Sequence, residues 1–331
     1  MERFALAAAV VLGFALTAAL CSLFVPLRRV LERREQQQQP VQSEQPRPAP
    51  LRAPLWGGLC AAAGTVAAVG VGWLAACVGQ PELLGSEGRL MTRLLTALAG
   101  SLAFGAVGFA EDLARMRSPA ALGLRRDVRL LLEALAAAFV LLLLRAAGCL
   151  PRGLGVPGAG YVLLGSAVPF LWAVLMVALA ECARIAERDE GTVCGAAFVA
   201  MLALMMVEAG LGVSGLAVLP AALAGALVAL GLWAFPPARL GAGCCGSLLA
   251  AGAIGCIPLS LDMTSLTVPL ALPFWAAGGL LAAQLLCAKR TGKPLRCWVK
   301  KHKMSPETVF LCSFALSAVG YVLALALLRW C

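Results

Sequence analysis

Charge is scarce in this sequence. Of its 331 residues only 13% are Asp, Glu, Lys or Arg, 6% are aromatic and one is a histidine, whereas 61% are apolar. Soluble domains carry about a quarter charged residues. The deficit excludes an ordinary water-exposed surface, because a soluble domain this apolar would need a larger core than a chain of this length builds. The apolar excess also excludes disorder over most of the length. Alternation of apolar and polar positions is missing, which argues against a transmembrane barrel. No CxxC pair occurs among the thirteen cysteines, so most of them read as small buried apolar side chains. Nor is there a basic helix interleaved with aromatics, so the net charge of +10 does not point to nucleic acid.

Long apolar runs are what the chain does contain. A membrane-crossing helix needs roughly 20 mostly apolar residues. Such stretches lie at 4–27, 55–78, 92–110, 128–150, 161–180, 192–211, 216–235, 245–261, 265–288 and 308–329. They predict an all-α polytopic membrane protein, a single integral membrane domain of ten transmembrane helices, with a break in the ninth at Pro269 and Pro273. The loops after helices one, three, five, seven and nine, with the helix ends beside them, hold 21 of the 27 Lys and Arg residues. By the positive-inside rule these five loops are cytoplasmic and both termini lie outside. The first apolar run is too long for a cleavable signal and is followed by Arg28 and Arg29, so it reads as an uncleaved anchor. Segment 28–54, with a glutamine run at 36–39 and then PVQSEQPRPAP, reads as a flexible cytoplasmic linker, with partner binding as the alternative.

The few polar residues gather. Glu111 and Asp112 follow the apolar end of helix three, with Arg115, Arg117, Arg125, Arg126 and Arg129 after them. The stretch ECARIAERDEG carries Glu181, Arg184, Glu187, Arg188, Asp189 and Glu190. Carboxylates at adjacent helix ends suit a divalent cation completed by phosphate oxygens, and arginines suit phosphate through two-pronged hydrogen bonds. Solvated loops whose charges balance are the equal alternative. Glu133 lies inside helix four, one turn deeper than Arg129 on the same face. It reads either as an internal ion pair or as a site-lining carboxylate. The loop KRTGKPLRCWVKKHKMSPE contains all five lysines and His302. It reads either as an anion-binding surface or as a topology anchor, and His302 by itself reads as a solvated loop residue.

Taken in order, these loops resemble the MraY-type branch of the polyprenyl-phosphate N-acetylhexosamine-1-phosphate transferases. The family's TPTMGG-like motif is matched by APLWGG at 53–58. Its IDDYxK and GL…K…Q stretches are matched by GFAEDLARMR and GLRRDVRLLLE, which puts Glu111 and Asp112 on the acidic pair, Arg115 and Arg129 on the lysines, and Glu133 on the glutamine. RIAERDEGT stands at the NLTDGLDGL motif, PPARLGAGCCGSL at PPAKxFMGDTGSL, and RTGKPLRCWVKKHK at the TGK and histidine-rich loop. The resemblance covers essentially the whole chain. It implies a ten-helix enzyme of the bacterial-type cytoplasmic membrane, acting in lipid-linked peptidoglycan precursor synthesis. The implied reaction passes a phospho-sugar from a UDP-sugar to undecaprenyl phosphate and releases UMP.

The resemblance implies catalytic roles for Glu111, Asp112, Glu187 and Glu190, and substrate contacts from Arg115, Arg129, Arg184, Lys293 and His302. It implies Mg²⁺ on Glu111, Asp112 and Glu187. As partners it implies polyprenyl phosphate, a nucleotide-sugar, and a second copy or other envelope-synthesis proteins. Several positions depart from the pattern. Cys244 replaces a metal-binding aspartate, and a thiol is a poor magnesium ligand. Arg184, Glu187 and Glu190 replace Asn, Asp and Asp, and Gly241 replaces the phenylalanine expected against uracil. Two readings stay open: a working transferase with altered donor or metal, or a non-catalytic pseudoenzyme that binds lipid phosphate or scaffolds other envelope-synthesis proteins. A transporter is disfavoured, since Glu133 is the one charged residue deep in a helix.

Overall fold

The computed structural model describes residues 2–38, 56–79, 88–117, 123–151, 153–156, 160–163, 165, 167–187, 191–235, 238–291 and 306–330. The described residues form α1 (Glu2–Gln38), α2 (Gly57–Gly79), α3 (Gly88–Arg117), α4 (Arg126–Ala146), β1 (Gly153–Val156), β2 (Gly160–Leu163) and α5 (Ala167–Ala186). They continue with α6 (Thr192–Gly210), α7 (Ser214–Ala234), α8 (Gly243–Ser260), a 3-10 turn (Thr264–Leu266), α9 (Thr267–Leu270), α10 (Leu272–Thr291) and α11 (Pro306–Trp330).

Eight of these helices are long and apolar enough to cross a membrane, and nine if the bent pair α9 and α10 counts as one span. The structure therefore bears out an almost wholly helical membrane protein, but not all ten expected spans. The missing one is α4, a helix that carries Arg126, Asp127, Arg129, Glu133 and Arg145 and is not among the eight. The expected break in helix nine is present: the two pieces meet at 64° beside Ala271, between Pro269 and Pro273.

The fifth helix was expected from residue 161 and instead starts at Ala167, behind an antiparallel hairpin pairing Gly153 with Leu163 and Val156 with Gly160. Glycines at 153, 155 and 160 cost a helix backbone entropy, while Val156, Tyr161 and Val162 favour extended backbone. Two other helices extend beyond their apolar runs. α3 runs on to Arg117 and α5 to Ala186, because Glu, Arg, Leu and Met continue a helix readily and polarity alone does not end one. α1 likewise continues through Arg28 to Gln38, into the segment expected as linker, and 39–55 lies outside the described residues.

The core is built on small residues. All eighteen residues of α8 are buried. α3 packs along it, with Gly100 against Cys256, Gly252 against Ser101, and Gly108 against the backbone of Cys244. α1 crosses α7 at Gly13 and Gly225 in the same manner. In lipid, where apolar side chains gain nothing by leaving solvent, such close approach supplies the dispersion contact that holds helices together. α11 lies at the edge. Only 17% of its span is buried, with Phe310 fitted against Gly195 of α6.

Candidate functional site

Four of the five motif regions meet at one end of the bundle, and glycines make that meeting possible. At Gly57 a Cβ would stand 2.5 Å from the Gly241 carbonyl oxygen, and at Gly58 2.6 Å from that of Ala242. The start of α2 therefore lies directly on the loop entering α8. Trp56, just before it, stacks on Phe24 at 5.7 Å between centroids and meets Phe109 edge-on at 6.3 Å. These rings close the α1–α2–α3 corner beside the charged residues.

Asp112 sits on α3 one turn beyond Gly108. Its carboxylate accepts the backbone N–H of Cys244 (3.0 Å) and of Cys245 (2.8 Å). These are among the first N–H groups of α8, which have no partner within their own helix. The residue before α8 is Ala242, which offers no side-chain cap. Asp112 supplies the cap from a neighbouring helix, an arrangement worth about 1–2 kcal/mol. Each of its oxygens accepts one of the two N–H groups.

The other carboxylates are held by arginine. Glu111, 2% exposed, accepts a 2.7 Å hydrogen bond from Arg115 one turn later on α3, and Arg129 of α4 stands 3.7 Å from the same oxygen. Arg115 also reaches to 3.8 Å from Glu187, just past the end of α5. Arg129 donates to Glu181 through Nε at 2.7 Å and Nη2 at 3.4 Å, and Arg184 donates to the same carboxylate at 2.6 Å. Three helices are thus tied by alternating charges. The buried stripe of α4 is Arg129, Glu133, Ala136, Ala137, Val140 and Leu144, so Arg129 and Glu133 share the face turned inward. Glu111 Oε2, both oxygens of Glu133 and Arg184 Nε are buried with no hydrogen-bond partner.

Glu111, Asp112, Arg115, Arg129, Arg184, Glu187 and Cys244 are therefore brought to one place. Glu190, Lys293 and His302 lie outside the described residues. In the sequence Glu181 is only part of a charged run, yet it joins α4 to α5. Its spacing of three from Arg184 was the available signal. The capping role of Asp112 had a fainter one, namely a helix opening on Ala242 and Gly243 with no residue of its own to cap it.

The residues as placed do not fit a magnesium ion. Magnesium demands an octahedron of hard oxygens. Each Asp112 oxygen already accepts an N–H group of α8, Glu111 Oε1 and Glu187 face guanidinium groups, and Cys244 contributes a buried thiol. Among the described residues, no three His, Cys, Asp or Glu side chains are grouped to hold a metal.

The geometry can be set beside known proteins. Residues 94–262, just over half of the chain, match the family model described as glycosyl transferase family 4. That stretch runs from α3 through α8 and contains every described charged residue of the site. A curated relative, the phospho-N-acetylmuramoyl-pentapeptide-transferase of Geobacillus kaustophilus (strain HTA426), is 25% identical over 309 residues, covering 92% of this chain and 89% of the relative. With matching motif regions converging at one end of an apolar helix bundle, the chain belongs to glycosyl transferase family 4, as a divergent member of the MraY type.

Proposed function

We propose that this chain acts in the membrane stage of lipid-linked cell-wall precursor synthesis as a phospho-sugar transferase. A phosphate oxygen of undecaprenyl phosphate attacks the sugar-linked phosphorus of a UDP-sugar, a new P–O–P bond forms, and the bond to the departing UMP breaks. Two anions must approach each other, so charge neutralisation and alignment are what the protein has to provide. The observation that carries this reading is the convergence of Arg115, Arg129 and Arg184 from three helices at one end of the bundle. Guanidinium groups present paired donors to phosphate oxygens and stay charged at any physiological pH. The same reading takes α4 as a tenth span, with both termini outside and the arginine-bearing end facing the cytoplasm of a bacterial-type plasma membrane. Lys293 and His302 would add further substrate contacts from the last cytoplasmic loop, and Glu187 and Glu190 would align the donor.

Membranes containing the full chain, supplied with a UDP-sugar and undecaprenyl phosphate, should release UMP above membranes lacking it. Failure with every donor tried overturns the transferase reading. A second reading, a non-catalytic lipid-phosphate-binding or scaffolding subunit, is favoured by one specific feature: Asp112, on the family's acidic pair, is consumed in capping α8. It predicts binding of undecaprenyl phosphate with no UMP formed.

A further inference from the structure

The place between Glu111 and Glu187 is already filled. The Arg115 guanidinium reaches both carboxylates, at 2.7 Å and 3.8 Å, and Arg129 adds a second guanidinium 3.7 Å from Glu111. A divalent cation there would displace Arg115 or share its carboxylates at like-charge cost. It would also have to share the Asp112 oxygens with the two N–H groups of α8 that they already accept. Meanwhile a donor stands unused on the same cluster. Arg184 Nε is buried and makes no hydrogen bond, although the Nη2 of the same group is bound to Glu181. Arg115 keeps 21% of its side-chain surface, so its outer edge can still be reached. The vacant donor is suited to an acceptor, and Glu111 Oε1, Glu181 and Glu187 already face guanidinium groups, whereas Glu111 Oε2 and both Glu133 oxygens have no hydrogen-bond partner.

We propose that Arg115, with Arg129 and Arg184, replaces a divalent cation at this site, so that the chain receives a phosphate-bearing anion without a metal. The inference deepens the proposed function by naming how its substrate phosphate is held. The expected ligand is a phosphomonoester or diphosphate group, whether on a lipid or on a soluble molecule. Arginine matches two phosphate oxygens in one plane, whereas lysine offers a point charge, so Arg115→Lys should not be equivalent. The unpartnered oxygens of Glu111 and Glu133 are the atoms a metal would have to use, and the test addresses them directly.

The full chain in lipid nanodiscs is stripped with EDTA, and Mn²⁺ uptake is followed by electron paramagnetic resonance. Binding of inorganic pyrophosphate, and of undecaprenyl phosphate added to the nanodisc lipid, is then measured with EDTA and with Mg²⁺. No saturable Mn²⁺ site is expected. At least one of the two anions should bind equally well, to within about twofold, in EDTA and in Mg²⁺, and the one that binds identifies the soluble or the lipid source. Arg115→Gln should weaken that binding by about tenfold or more, the loss of one charge-assisted pair of hydrogen bonds. Arg115→Lys, which keeps the ion pair with Glu111 and so guards against misfolding, should fall between the two. Saturable Mn²⁺ binding abolished by Glu111→Gln or Glu133→Gln overturns the proposal. So does anion binding that appears only with Mg²⁺, binding unaffected by either Arg115 variant, or no anion binding at all. Metal-free binding that depends on Arg115, without UMP release, would retain this inference and remove the transferase reading.

Discussion

The two halves of α3 are held by opposite means. From Gly100 to Gly108 it lies on α8 through missing side chains, Gly100 against the side chain of Cys256, Gly105 against that of Leu249 and Gly108 against the backbone of Cys244, with no charged atom in the contact. From Glu111 to Arg115 it is tied to α4, the end of α5 and the start of α8 through carboxylates and guanidiniums. The first contact is intolerant of added volume and indifferent to charge. The second is intolerant of a lost partner, because whatever remains is a buried uncompensated charge. Spacing between helices is set by shape, and the choice of neighbours at the polar end is set by charge.

That contrast can be broken at several points, and the largest effect should come from removing one arginine. Arg129→Ala strips Glu181 of its two-pronged partner and Glu111 of its second cation, and should lower stability by about 3–5 kcal/mol, read from the thermal midpoint in detergent. If the midpoint does not move, the ion cluster is not holding α4. Gly108→Val forces a side chain into the backbone of Cys244 and should cost about 1–3 kcal/mol, with loss of folded yield on size exclusion. Unchanged yield and midpoint would mean that α3 and α8 can separate without penalty. Asp112→Ala removes the cap and should cost about 1–2 kcal/mol. Amide exchange should rise first at Cys244 and Cys245, and protection retained there would show that another group caps α8.

Replacing Arg129, Glu181 and Arg184 together by methionine or leucine is the sharper version of the same comparison. A buried ion triad often costs as much desolvation as it returns in attraction, so stability should stay within about 1–2 kcal/mol of the parent while anion binding disappears. If the triple variant is as unstable as Arg129→Ala, charge is structural here and not merely functional. The smallest effect is expected on the outer face: Leu323→Ala, on the exposed side of α11, should change stability by less than about 0.5 kcal/mol. A larger loss in the midpoint would reveal a covering surface on α11.

Much of this was legible in residue order. Helices came from apolar runs, and the kink beside Ala271 from Pro269 and Pro273, because those signals are local. The ends of α3 and α5 are not legible from polarity, because charged residues continue a helix as readily as apolar ones; Glu111, Asp112, Arg115 and Glu181 therefore look like loop edges in the sequence although they sit in helical register. The hairpin at 153–163 is hard to separate from a helix in the sequence because its glycine pattern is short and lies beside a strong apolar run. In the site, the right residues were gathered but their partners were not: a sequence shows that Asp112 is acidic, not that both its oxygens face the N-terminus of a helix 132 residues away.

The sequence by itself determined that this chain lives in lipid, that its sparse charge collects between apolar helices, and that its motif order follows one transferase lineage. These follow from composition and local periodicity, which need no third dimension. Only the tertiary structure decided what the charges do. Whether a carboxylate is open to a metal, bound to arginine or capping a helix terminus depends on which helices touch, and here glycines at the α2, α3 and α8 contacts bring the helices close enough for Arg115 to stand between Glu111 and Glu187 and for Asp112 to cap α8.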